Sequence, residues 1–456
     1  MLIPKSSIPL IHWPAIPDKA GSLLLSILYQ LEETQWWSGE EIRKHQFQQL
    51  GKLVQHALKT VPYYHQHFRD AGVKIEDELN EDTWSRIPLL SRHELKTNSK
   101  LLCSRSIPNQ HGKIAWGKTS GTTGEPLRFL KTEIVEMFWR ALTVRDQLWH
   151  ERDYRQKLTV IRSGRYVDDP DAIQEYKGWG KASNTIYATG PSNLIYHRMP
   201  IEKQMEVLLS QQPHYLLLYP SNVYALAQYC KEKELALPGI QEIITYGEPL
   251  YPATRSFCED IFNVEITDAY STEESGYIAL QCPENEHYHI QSESLLVEIL
   301  NDQDQPCQTG EIGRVVLTSL YNFAMPFIRY DIGDYAEVGE PCSCGRGLPV
   351  LKRILGRTRN AISMPDGGYR WPDITEIINN CDLPIRQLQI IQKDKTAIDV
   401  GFSAHRALNA SEQEALRQRL QKILGNVFHL SLTMHDDIPR HPNGKFEYVI
   451  NETVTG

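Results

Sequence analysis

Eight consecutive residues, Thr119 to Pro126, read T-S-G-T-T-G-E-P and crowd hydroxyls, two glycines and a proline into one stretch. Hydroxyls and turn N–H groups both donate to phosphate oxygens, and glycine lets the backbone approach a ligand closely. The stretch therefore reads as a phosphate grip, with a solvated Ser/Thr/Gly turn as the plain alternative. Gly247-Glu248-Pro249 follows an apolar run, Glu242 to Tyr246, at a place where α/β sheets bind ligands. Asp268-Ala269-Tyr270-Ser271-Thr272-Glu273-Glu274 follows another, Val264 to Thr267, and is read as a turn. Its carboxylates and hydroxyls suit magnesium and phosphate, against a helix cap at Ser271 or Thr272. Phe327 to Asp334 reads as an apolar strand opening onto an acidic glycine turn. A carboxylate there can accept two ribose hydroxyls, against a simple Asx turn. Pro439 to Lys445 is a polar loop that presents one lysine.

Cys342 and Cys344 form a C-x-C, and Cys282 with His289 flanks a short polar turn. Three thiolates and an imidazole are an accepted zinc set. His287 competes with His289, Cys307 is a further candidate, and free buried cysteines are the alternative. A second phosphate pattern, G-x-x-x-x-G-K-[ST], is met by Gly112, Gly117, Lys118 and Thr119. It needs a buried strand before it and a helix at the lysine, and neither neighbouring segment has that character.

These residues need a large scaffold, and 456 residues supply one. A hydrophobic fraction of 41% with 23% charged residues is that of an ordinary globular chain. The net charge of −9 and the lack of a basic run argue against nucleic acid as a partner. No apolar run is long enough to span a membrane, and four prolines break the first 17 residues, a poor signal peptide. Eight cysteines are no disulfide framework in so long a chain, and a cytoplasmic enzyme is expected. Apolar spacing predicts helices over Leu23–Tyr29, Glu40–His67 (ended by Pro62), Glu133–Trp149, Ile201–Gln211 and Asn222–Leu235. Short β runs alternate with the later helices at Leu158–Ile161, Tyr215–Tyr219 and Glu242–Tyr246, which implies an α/β fold with parallel strands. Leu295–Leu300 and Gly313–Leu320 read as an antiparallel β subdomain. Gly356 to Asn360 reads as a linker to a small α+β domain. The expected division is thus a large domain over 1–355 and a small C-terminal domain over 356–456 that carries Lys445.

In this order, T-S-G-T-T-G-E-P, Y-G-E-P-L, D-A-Y-S-T-E-E, I-R-Y-D-I-G-D, C-S-C-G-R-G-L-P with I-L-G-R, and N-G-K resemble the acyl/aryl adenylate-forming superfamily. They look most like its phenylacetate–coenzyme A ligase branch, including the capsule-biosynthesis relatives. The resemblance runs from about Trp84 to Lys445. It implies a carboxylic acid attacking Mg·ATP to give an acyl-adenylate and pyrophosphate, then transfer to a thiol, usually that of coenzyme A. Thr119, Ser120, Gly121, Thr122, Thr123 and Gly124 would hold the outer phosphates. Gly247, Glu248 and Pro249 with Asp268, Ala269, Tyr270 and Ser271 would line the nucleotide. Thr272 would meet the α-phosphate, Glu273 would hold Mg²⁺, and Asp334 would take the ribose hydroxyls. Arg357 would lie near ribose or phosphate, and Lys445 resembles the mobile catalytic lysine. Cys282, His289, Cys342 and Cys344 match positions where part of the branch holds a metal.

Three departures bear on the second step. The ribose turn is Y-D-I-G-D where the family usually has Y-R-T-G-D, the hinge residue is Arg359 rather than Asp, and Gly368 to Pro372 differs from the usual G-V-N-V-F-P. A carrier-protein phosphopantetheine or an amine therefore stays open as acceptor, as does a homodimer. The competing classes are a non-catalytic nucleotide-binding module and a P-loop NTPase. Trp139, Tyr219 and Tyr246 are candidate walls of an aryl pocket or plain core residues.

Overall fold

The computed structural model describes residues 3–72, 79–119, 127–163, 171–380 and 383–454. Ser120 to Gly124 of the expected phosphate grip lie outside them. The chain forms two compact units: 1–157, 176–192 and 269–354 in one, and 158–175, 193–268 and 355–456 in the other.

The first unit joins N-terminal helices to an antiparallel sheet. The Glu133–Trp149 helix forms as expected, because Val135, Ala141, Leu142 and Val144 recur on one buried face. Ser91 and Glu94 close a reciprocal capping box at the Arg92–Thr97 helix (3.1 and 2.8 Å). The run expected over Glu40–His67 is two helices, Gly39–Thr60 and Pro62–Asp70. Pro62 closes the first and then opens the second, since its missing N–H costs nothing at a first turn. Leu295–Leu300, Ile312–Ser319 and Tyr330–Val338 pair antiparallel in succession. Tyr64, Phe68, Trp84, Phe129, Phe327 and Tyr330 fill the core over them.

The P-loop pattern fails, as its flanking segments foretold, and two turn readings are corrected. Ile114–Lys118 is a strand paired antiparallel with Arg128–Thr132, so Lys118 sits opposite Arg128 in a hairpin. Trp116 in it is 55% exposed. That is no buried strand leading into a helix, and the P-loop geometry fails. Asp268 to Thr272 is not a turn but the continuation of strand Glu265–Thr272, whose Ala269 to Thr272 pair with Gly276–Leu280. Neither Ser271 nor Thr272 caps a helix. Asp331 to Asp334 likewise lies inside strand Tyr330–Val338, where period two buries Ile332 and turns Asp331 to Arg314 at 3.0 Å. Gly333, with φ of +81°, takes a conformation that a side chain would resist.

The second unit alternates strands and helices. Leu158–Arg162, Tyr215–Leu218 and Glu242–Tyr246 are parallel neighbours, and helices Ile201–Gln211 and Pro220–Lys233 connect this region. The strands are largely buried on both faces, as parallel strands covered by helices are. Strand Ser192–Tyr196 and strand Ile173–Tyr176 join them, neither expected from the sequence. Gly356 to Asn360 is no open linker: strand Val350–Arg357 runs through its start, and Thr358–Asn360 is a 3₁₀ turn. A four-stranded sheet follows, ordered His429–Met434, Ala397–Ala404, Ile385–Gln392, Val449–Asn451, with helices Ile374–Asn379 and Ala410–Leu424. The α+β expectation for this part therefore holds. No helix among the described residues is long and apolar enough to cross a membrane.

Candidate active site

Strand Glu242–Tyr246 delivers Gly247 with φ of +78°, and a Cβ there would stand 3.3 Å from the Tyr219 ring and 3.4 Å from Lys445 Nζ. The space is taken because the Lys445 ammonium donates to the Gly247 carbonyl oxygen. Its Nζ also lies 5.9 Å from the Tyr219 ring centre, within cation–π reach. Lys445, expected in a loop 198 residues further on, is thus brought to the Gly247-Glu248-Pro249 segment by the fold.

Glu248 stands at the N-terminus of helix Pro220–Lys233. Its carboxylate accepts from Ser221 N at 2.9 Å and Ser221 Oγ at 3.1 Å, where the helix dipole favours an anion. It also accepts from Phe446 N at 2.8 Å, the residue after the lysine. Burial pushes this carboxyl above its usual range, opposed by Arg440, by the two N–H groups and by Lys445. On another side the loop rests on His197: a Cβ on Gly444, φ +92°, would meet that ring at 2.5 Å. Burial, then the nearby Arg198 and Arg440, push His197 down to about 4. Asp268, expected beside the nucleotide, is buried and accepts from Thr245 Oγ1 at 2.6 Å. Arg357 gives its carbonyl to Trp371 Nε1 at 3.2 Å.

In the other unit, Tyr270 donates its hydroxyl to Asp334 Oδ2 at 2.7 Å, uniting two expected residues that are 64 apart. Ala269 is buried and Ser271 half-buried in the same strand. Thr272 Oγ1 accepts from Ser275 N at 3.2 Å, and Glu273 is exposed on the turn between them. An exposed carboxylate beside a hydroxyl is a donor set that magnesium can use. Thr119 N–H donates to Leu127 O and its hydroxyl accepts from Leu127 N, both at 3.0 Å.

Beside Thr272 a cavity of about 10 Å³ lies between helix Glu133–Trp149 and the sheet. Phe138, Trp139, Leu142, Ser275, Tyr277 and Tyr321 are among its walls. Phe138 and Tyr321 stack at 4.2 Å, and the buried Ser275 hydroxyl has no hydrogen-bond partner among the described residues. Of the three aromatics considered for an aryl pocket, Trp139 lines this cavity, whereas Tyr219 and Tyr246 pack on each other at 5.0 Å. Phe138, Ser275 and Tyr321 escaped the sequence reading because isolated aromatics and serines carry no motif.

Cys282, His289, Cys342 and Cys344 converge, with their four ligand atoms within 4.8 Å of one another. Cys282 Sγ lies 3.8 Å from Cys342 Sγ, and Cys344 Sγ lies 3.4 Å from His289 Nε2. The fully buried His289 turns Nδ1 to Leu348 O at 3.4 Å, leaving Nε2 for the cluster. Backing of that kind orients metal-bound histidines, and the donor set fits zinc. His287, whose ring is 5.5 Å from that of His289, and Cys307 are not members.

Residues 370–452 match the family model "CapK C-terminal domain". Phenylacetate–coenzyme A ligase of Thermus thermophilus is 22% identical over 447 residues, covering 90% of this chain and 97% of that protein. The Escherichia coli enzyme of the same name is 23% identical, covering 90% and 95%. Protein CapK of Staphylococcus aureus is 21% identical, covering 80% of each. Among solved structures, 2-hydroxyisobutyryl-CoA ligase with a bound acyl-adenylate superposes with a TM-score of 0.73, covering 92% of each chain at 17% identity. Over most of its length the chain is similar in sequence to phenylacetate–coenzyme A ligases, its C-terminal part matches the CapK family model, and it shares the fold of 2-hydroxyisobutyryl-CoA ligase.

Proposed function

We propose that this protein couples a small carboxylic acid to ATP, releasing pyrophosphate, and passes the acyl group from the adenylate to the thiol of coenzyme A. The observation that carries this reading is Lys445, set against the Gly247 carbonyl with its following N–H held by Glu248. A lysine tethered by backbone anchors can neutralise charge as the acid's carboxylate attacks the α-phosphate, the kind of preplaced cation that favours a transition state. Asp334, fixed by Tyr270, would accept ribose hydroxyls. Thr272 would donate to the α-phosphate once its hydroxyl turns, and Glu273 would hold magnesium. Bound there, magnesium would supply charge neutralisation for the phosphates. Ser120 to Gly124 are assigned the outer phosphates, Gly247 to Pro249 with Asp268 to Ser271 the adenine, and Arg357 the ribose or phosphate. Residues 356–456 are the proposed mobile domain, and zinc is the proposed occupant of the Cys₃His cluster. Four protein ligands leave zinc no open position, so its role there is structural.

The aromatic cavity beside Thr272 supports an acid with a compact apolar body. A volume of about 10 Å³ is roughly one water's worth of room. A short acyl group would need these walls to part, for instance at the Phe138–Tyr321 stack, and an aryl acid would need them to part further. The 2-hydroxyisobutyryl name of the structural relative is in keeping with the first option.

A panel of short, hydroxylated and aryl acids, scored for AMP and pyrophosphate, tests the proposal. Acid-dependent AMP is expected, and thioester should appear on adding coenzyme A. Adenylate that forms but reacts only with a phosphopantetheinyl carrier or an amine would replace the acceptor. ATP binding with no AMP from any acid would favour a non-catalytic module.

A further inference from the structure

The loop that carries Lys445 is anchored on both sides, and one anchor is Phe446 N on Glu248. The other belongs to Arg440. Its Nη1 donates to Ser221 Oγ at 2.6 Å and to the Gly444 carbonyl at 3.3 Å, and its Nη2 donates to Ser221 O at 2.9 Å. Ser221 Oγ in turn donates to Glu248 Oε1 at 3.1 Å, and the same oxygen accepts from Phe446 N at 2.8 Å. Guanidinium, serine hydroxyl and carboxylate therefore form a closed chain that starts four residues before Gly444 and ends one residue after Lys445. Within the loop, Gly444 N donates to His441 O at 2.8 Å and Lys445 N to Asn443 Oδ1 at 3.1 Å, so the turn is also bonded within itself between its anchors. Arg198 Nη2 donates to Pro442 O at 3.1 Å on the outer side.

We infer that Arg440 is a positioning residue for adenylation: through Ser221 and Glu248 it staples the loop so that Lys445 faces Gly247, and it does no chemistry itself. Arginine is suited to the task because its planar fork engages a hydroxyl and two carbonyls at fixed angles, whereas an ammonium is a single point donor. Its charge also offsets the carboxylate of Glu248, which would otherwise stand buried with Lys445 as its remaining cation. With the staple gone, the Lys445 ammonium spends more time away from the Gly247 carbonyl, and the step that needs it slows.

The inference rests on the ligase reading for its catalytic half, so two measurements keep the two apart. In the first, the full-length protein without ligands is treated with acetic anhydride, and modification of Lys445 is followed by mass spectrometry. Arg440→Gln should raise the Lys445 rate about tenfold or more, as expected for losing hydrogen bonds to a charged group. Arg440→Lys should recover part of the protection, and Ser221→Ala should raise the rate by less than Arg440→Gln does. In the second, with the acid that gives wild type its strongest signal, pyrophosphate release is compared with thioester formation from that acid's supplied adenylate and coenzyme A. Arg440→Gln should slow the first by about 10- to 100-fold and leave the second near wild type.

Unchanged Lys445 reactivity in a folded Arg440→Gln protein overturns the staple. Equal loss in both half-reactions, or no loss in pyrophosphate release, overturns the positioning role. If wild type makes no AMP with any acid, the ligase reading falls, and the acetylation result still decides whether Arg440 holds the loop.

Discussion

The Cys₃His cluster and the Lys445 loop both gather residues from distant parts of the chain, by opposite means. The cluster is set by the sheet: His289 lies in strand Tyr288–Ile290, between Gly276–Gln281 and Val350–Arg357, and is wholly buried. Cys282 directly follows strand Gly276–Gln281, and Cys342 and Cys344 lie in the turn between strands Tyr330–Val338 and Val350–Arg357. The loop has no ladder. Pro439 to Phe446 belongs to no strand or helix and is docked by side-chain bonds from Ser221, Glu248, Arg198 and Arg440, with Gly444 against the His197 ring. A cluster whose buried histidine is fixed in the sheet and whose thiols sit on turns beside strand ends suits a site that must not move. A loop held by a few polar bonds suits one that must be released, because each bond is worth little net of water.

The contrast can be broken at several points. Lys445→Ala should slow acid-dependent pyrophosphate release by on the order of 10² to 10³, as for a lost oxyanion donor. Zinc content and melting temperature should stay as in wild type. Stopped-flow rates close to wild type would remove the lysine from the chemistry.

Cys344→Ser, or strong chelation, should do the reverse. Metal analysis is expected to show one zinc per wild-type chain and its loss in the variant. Stability should fall by about 2.7 kcal/mol were zinc present at a hundred times its Kd, with the pyrophosphate rate per folded molecule little changed. A chain that purifies without zinc and melts unchanged under chelator would leave the cluster a set of buried thiols.

The smallest effect is pH-dependent. His197 sits at about 4 in the folded protein against 6.5 ordinarily, so between those values the unfolded chain binds the proton better. The contribution to stability is full above pH 6.5 and is lost as pH falls toward about 4. Urea midpoints should therefore drop more steeply over that range in wild type than in His197→Gln. Parallel curves would mean that the ring under Gly444 titrates normally.

The same contrast separates what was legible in the chain from what was not. Glu133–Trp149, Ile201–Gln211 and Ile385–Gln392 follow directly from apolar periodicity, because one buried face dictates the period, and Glu242–Tyr246 from a short β-rich run. Gly276–Gln281 and Tyr288–Ile290 were missed, being short and partnered only through the sheet. Asp268 to Thr272 and Asp331 to Asp334 looked like turns because acids, serine and glycine favour turns locally. Strand partners, Thr245 for Asp268 and Arg314 for Asp331, outweighed that preference.

By itself the sequence determined the α/β character, the order of the motifs proposed to meet the nucleotide, the metal-ligand candidates and the loop that ends in Lys445, since each depends on residue type and local spacing. Tertiary structure alone decided that His289 and not His287 joins the thiols, that Tyr270 holds Asp334, and that Lys445 meets Gly247. Those choices depend on which side chains long-range strand pairing and loop docking bring within about 3 Å, the hydrogen-bond range, and no spacing along the chain encodes that.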